Sequence, residues 1–302
     1  MDENRFAILI LRLTFEGVLN AHGVEREGKA SMKGHRSPER RNRNIGTAKS
    51  GYGRDNELVV PGSRDARAFW ERFRGLVSVK RFDPQGVIRV LVEPCRKGSL
   101  HAVTVDDIVE LMSLIPVAER APVTWVILRQ PKKKEQVLDS VWGRYLPRAE
   151  LGRQSGSAVI LEAQTPGEPM RWPRSLGPSG RRELELLETE GHDIVTTRRE
   201  YIVRSDREAI RTTQLYRTLP HEIGHSVQYQ LEVNVPAGQD VCERERRLDL
   251  FRRKAACEKE DFAERYASAF AAQQRALGAI PFDRRLNPSV VELDGLDVSW
   301  FG

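Results

Sequence analysis

The chain has 302 residues, 39% of them hydrophobic and 30% charged, with a net charge of +6. That is enough for one large domain or two small ones around a sizeable core. No apolar run reaches the 18 or more residues of a membrane span, and an odd, sparse set of cysteines (Cys95, Cys242 and Cys257) excludes a disulfide framework.

Residues 6–15 (FAILILRLTF) are apolar but short, interrupted by Arg12 and preceded by acidic rather than basic residues. They read as a buried helix or strand, not as a secretory signal. Residues 26–54 hold much of the surplus positive charge and are rich in Gly, Ser, Asn and Arg. With little to bury, residues 1–57 read as a largely disordered basic segment. An ordered domain over 58–280 and a C-terminal extension over 281–302 follow; the last segment lacks a helical period and is expected to wrap the domain.

Within the domain, residues 63–77 have helical spacing through Phe69, Phe73 and Val77, and residues 86–93 read as a strand. Residues 104–115 form a helix that Thr104 caps. Asp107 completes a capping box, and Ile108, Leu111, Met112 and Ile115 make one apolar face. Residues 122–128, 137–145 and 158–163 read as strands separated by turns. A charged helix over 179–190 ends at Gly191, and residues 193–204 suit a hairpin. Ser205 and Glu208 resemble a second capping box, opening a helix towards His221-Glu222-Ile223-Gly224-His225. Pro220 implies a kink or a restart there, with Thr218 as cap.

His221 and His225 lie four residues apart and share a helix face. Two imidazoles so placed can bind one Zn²⁺, and Glu222 can reach a metal-bound water without being a ligand. Ile223, Val227 and Leu231 give the helix an apolar opposite face. A third ligand is required, but Leu231 stands where a third His of an HExxHxxGxxH pattern would lie. Glu245 and Glu260 compete. Glu245 lies in a nearly all-charged stretch, whereas Glu260 belongs to a helix on which Phe262, Tyr266 and Phe270 form a buried stripe. That packing favours Glu260, with Glu264 accepting a hydrogen bond from a ligand His.

HEIGH followed by ExxAExYA resembles the gluzincins, zinc peptidases whose third ligand is a glutamate on a second helix. The Glu260 segment is similar to the glutamate helix of anthrax-lethal-factor-like peptidases, and the specific match covers residues 219–270. The resemblance implies an α+β, zincin-like domain: a small mixed sheet packed on helices, with an active-site helix and a glutamate helix. It implies His221, His225 and Glu260 as metal ligands and Glu222 as the catalytic base. It also implies that residues 158–163 form the edge strand along which a peptide lies. Arg253 stands where the lethal-factor pattern has its oxyanion-stabilising Tyr, so the role is unassigned: Arg253, another residue such as Tyr229 or His192, or no residue fills it.

The function expected is zinc-dependent hydrolysis of peptide bonds in a protein or peptide substrate, Glu222 activating a zinc-bound water. The alternative is a zinc-stabilised basic protein that binds nucleic acid or an acidic partner. Cytoplasmic location is expected, with secretion lacking a recognisable signal left open. Cys95 precedes HEIGH as a metal-binding cysteine does in peptide deformylases, but its neighbours do not match. His101 and His192 read as loop residues at the surface, Lys132-Lys133-Lys134 as a solvated turn, and Trp172 as a packed residue rather than one lining a cleft.

Overall fold

The computed structural model describes residues 73–83, 86–132 and 141–302, all within a compact unit running from Phe69 to Gly302. The basic segment and most of the helix expected at 63–77 lie outside the described residues. The described end of that stretch is not helical, because Val77 already opens the first strand.

A five-stranded mixed sheet is built from β1 (Val77–Asp83), β2 (Gly86–Val92), β3 (Trp125–Arg129), β4 (Gly143–Leu151) and β5 (Gln154–Glu162), in the order β1-β2-β3-β5-β4. β2, β3 and β5 run parallel, and the outer strands β1 and β4 are antiparallel to their neighbours. β5 is therefore an interior strand, which corrects the expectation that residues 158–163 form the edge. The edge is β4. Its sequence carries the marks of one: its register shifts between Leu146 and Ala149, around Pro147, where the ring leaves no N–H for a ladder.

Strand periodicity divides the apolar residues between two faces. Val126, Leu128, Val159 and Leu161 join the main core with Ile108, Leu111, Met112 and Ile115 of α1 (Val105–Ser113). Trp125, Ile127, Ala158 and Ile160 form a smaller cluster on the opposite face. The capping box of α1 is present: the Thr104 hydroxyl accepts from the Asp107 N–H at 3.0 Å, and Asp107 accepts from the Thr104 N–H at 3.2 Å. Short α2 (Val117–Arg120) follows.

A three-stranded sheet of β6 (Met170–Pro173), β7 (Asp193–Thr196) and β8 (Glu200–Arg204) has the order β6-β8-β7. α3 (Pro178–Thr189) packs Leu184 and Leu187 towards Val203. It is followed by Gly191 at φ 95°, the left-handed conformation that glycine adopts without strain.

α4 (Arg207–Thr213) is capped by Asp206, whose carboxylate accepts from the Ala209 N–H, rather than by Ser205. A π turn (Gln214–Thr218) leads without a break into α5 (Leu219–Tyr229). Thr218 has helical φ and ψ and makes no side-chain cap, so the chain does not restart at Pro220. The Leu219 N–H instead reaches the Gln214 carbonyl, and the widened turn admits a residue that has no N–H to donate. A second π turn (Gln230–Asn234) precedes α6 (Val235–Ala237), again with a proline, Pro236, two residues on.

α7 (Val241–Arg253) has no buried residue, whereas α8 (Ala256–Ala276) buries Ala263, Ala267, Phe270 and Ala271. Residues 281–302 close the domain. They contain one helix, α9 (Pro288–Leu293), that the lack of periodicity concealed. Their Val291, Leu296 and Phe301 enter the main core, and Phe282 exchanges hydrogen bonds with the Tyr216 hydroxyl.

Candidate metal centre

α5 is oriented by its apolar face. Leu219, Ile223 and Val227 are buried in the main core, and Leu231 packs beside them. The opposite face then presents His221 and His225, with ring centroids 4.8 Å apart and planes at 87°. α8 crosses this face. The crossing is close because Gly224 has no side chain: a Cβ there would lie 3.0 Å from Ala263 Cα and 3.2 Å from its carbonyl oxygen. α8 is held from two sides. Its Tyr266 hydroxyl donates to Glu119 of α2 at 2.6 Å. Lys254, just before the helix, pairs with Glu232 at 2.7 Å.

This crossing brings Glu260 to the histidines. His221 Nε2 lies 3.2 Å from Glu260 Oε2, and His225 Nε2 lies 3.5 Å from Glu260 Oε1. All three donors fall within 4.8 Å of one another. Tetrahedral ligands about 2.1 Å from a zinc ion are roughly 3.4 Å apart; the two His–Glu distances are close to that, and these three side chains could hold such an ion. Glu245 does not join: it is exposed on α7.

The electrostatics follow the geometry. Hydrogen bonds from His221 and His225 hold the Glu260 carboxyl well below the usual carboxylate range. Burial works against the His221 cation, but the hydrogen bond to Glu260 and the charge of Glu222 outweigh it and raise its pKa. Glu222 is only 7% exposed, and burial raises its pKa against the opposing pull of both histidines and the Tyr145 N–H. Glu222 thus sits between the face that bears the two histidines and the outer strand β4. Gly143 allows that approach, because a Cβ there would lie 2.7 Å from both Ile160 O and Thr218 Cγ2.

A cleft of about 890 Å³ opens beside the cluster, reached by His221, Glu222 and Glu260. Trp172 does line it, while also packing on the small core under α3. The sequence reading missed Arg217, one turn before His221. Its guanidinium bonds Glu183 at 2.8 and 3.0 Å and Glu190 at 2.5 and 2.9 Å, tying α3 to the helical run that carries the two histidines. Its place at i−4 from a ligand, on a cleft-facing stripe, was the available signal.

Several expected roles fail. Glu264 faces Arg182 at 3.8 Å, and no bond to a ligand histidine is found among the described residues. His101 and His192 are buried, not at the surface. His192 is bonded to Ser205 and Thr213. Tyr229 packs edge-on against Phe251 at 5.5 Å, and Arg253 is exposed at the end of α7. None of His192, Tyr229 and Arg253 lines the cleft. Cys95 is half-buried and outside the donor cluster; burial pushes its thiol up to about 12.

No protein-family model, curated protein or solved structure matches the chain.

Proposed function

We propose that this chain is a zinc-dependent peptidase with a glutamate-type, zincin-like catalytic domain. The observation that carries the reading is the convergence of His221, His225 and Glu260 beside buried Glu222, at the end of a cleft. The edge strand beside the helix and the second helix bearing Glu260 support the same architecture.

His221, His225 and Glu260 would hold the metal. A bound zinc ion supplies acidification of water and polarisation of a carbonyl. Glu222 accepts the proton of the attacking water and returns it to the leaving amine. Its burial raises its proton affinity towards the range where both transfers are efficient. The Tyr145 N–H lies beside that carboxylate, so β4 both orients the base and offers a free strand edge to an extended substrate.

A structural zinc site is closed by four protein ligands. Among the described residues three donors converge, and the Glu260 side chain is 60% exposed. This openness favours catalysis over the alternative of a zinc-stabilised binding protein. The decisive measurement is zinc content with turnover: about one equivalent per chain, and hydrolysis lost on Glu222→Gln. A chain that binds no zinc, or that binds it and cleaves nothing across a proteome-derived peptide library, overturns the reading.

A further inference from the structure

The cleft extends well beyond the donor cluster. One stripe of α8 lines it, from Glu260 through Glu264, Ala267 and Ala271 to Arg275. The fifteen helical steps from Glu260 to Arg275 span about 22 Å at 1.5 Å each. An extended chain rises about 3.3 Å per residue, so this length matches roughly seven residues. The middle of the stripe is alanine, and both alanines are buried, so no long side chain from α8 fills the channel there.

The charges along the cleft are unevenly placed. Near the metal cluster, Glu183 and Glu190 share Arg217 through four hydrogen bonds, which uses up that guanidinium. Arg182 faces Glu264. At the far end stands Arg275, exposed, with no ion pair or side-chain hydrogen bond among the described residues. The cleft is therefore acidic beside the reaction centre and carries an uncommitted cation about 22 Å away.

We propose that this cleft binds an extended segment of the substrate about seven residues long on one side of the scissile bond, and that Arg275 selects a carboxylate at its far end. This rests on the peptidase reading for its direction along the chain. A guanidinium favours a carboxylate by charge and by paired hydrogen bonds. The carboxylate is either an acidic side chain or the chain's own C-terminus.

The test uses zinc-loaded Glu222→Gln protein and fluorescent decapeptide libraries, so that binding is read without turnover. C-terminally amidated peptides carry Asp, Asn or Lys at one position, moved along the chain. A parallel set carries a free C-terminus and no acidic residue. Asp at one position, or the free C-terminus at one length, should bind about fivefold to tenfold tighter than its neutral counterpart. The additional Arg275→Gln change should erase that preference and Arg275→Glu should invert it. Equal affinity for Asp, Asn and Lys at every position, with no gain from a free terminus, overturns the proposal. So does a preference that survives Arg275→Glu. Selective binding combined with no cleavage by the wild-type chain would instead overturn the peptidase reading.

Discussion

Gly224 and Ala263 meet where α5 and α8 cross, so closely that one added methyl at position 224 would lie 3.0 Å from the Ala263 Cα. Glu260 stands one turn before Ala263, so the approach at this point sets the distance from its carboxylate to both histidines. Gly224→Ala gains about 1 kcal/mol of helix propensity but costs roughly 1–3 kcal/mol in overpacking. The net effect on stability is a loss of about 0–2 kcal/mol. Zinc affinity, which depends on displacements of a few tenths of an ångström, should fall clearly. Competition with a chromogenic chelator reads it, and unchanged affinity would mean that the crossing does not control the site.

Three glutamates should separate cleanly. Glu222→Gln should retain zinc while hydrolysis falls by about 10²–10⁴-fold. Glu260→Gln should lose zinc, because it removes one of three converging donors. Glu245→Gln should change neither, since Glu245 is exposed on another helix. Metal analysis and a peptidase assay on the same preparations decide all three.

Arg217→Met should destabilise the chain by roughly 2–4 kcal/mol, because it strands Glu190, whose side chain is 12% exposed, among buried groups. Arg217→Lys should recover only part, since an ammonium cannot reproduce the four-bond fork between two carboxylates. Glu190→Gln should cost much less in the Met background than in the wild type. Urea unfolding of the four proteins in that cycle gives the coupling, and additivity would break the assignment.

Stability should fall in mild acid through His101. Burial lowers its pKa to about 4, and its Nε2 donates to the Glu93 carbonyl at 2.8 Å. In the unfolded chain it titrates near 6.5. Between about 6.5 and about 4 the unfolded state takes up a proton that the folded state refuses, so stability is lost as pH drops across that window. The full effect is roughly 3 kcal/mol. His101→Gln keeps a donor for Glu93 and should flatten that part of the pH profile. Identical profiles would exclude His101.

Chelation should leave the fold in place. The donors lie outside the main core, and without metal Glu260 still bonds His221. Circular dichroism should be preserved after chelation, while the melting temperature should rise with added zinc as binding to the native state demands. Collapse of the secondary structure on chelation would show a structural metal instead.

The donor set was legible because its signals are local. His221 and His225 share a face by spacing alone. Glu260 stood out over Glu245 because Phe262, Tyr266 and Phe270 promise a packed helix, and α8 packs them on the main core. Thr104 and Asp107 were legible for the same reason. Strand order was not, because it depends on pairings far apart in sequence. Even so, the unbroken apolar run from Ala158 to Leu161 marks an interior strand, while Pro147 in the more polar β4 marks an edge. His101 was misjudged because Trp300 and Phe301, which lie against it, come from the far end of the sequence, and His192 because its partners Ser205 and Thr213 lie beyond the hairpin.

The π turn before Pro220 acts as a phase adjuster. It accommodates one residue more than the regular helical winding would, and each residue of an α-helix turns the chain by about 100°. Deleting a single residue from Gln214–Thr218 would restore an ordinary helix between α4 and α5. With α4 anchored by Arg211 on Asp107, the imidazole pair would then swing away from the Glu260 carboxylate. All four chemical groups would survive, aimed at different points. The constellation depends on a count of backbone units as strictly as on its side chains, and an alignment that scored only HEIGH and Glu260 would overlook the change that silences it.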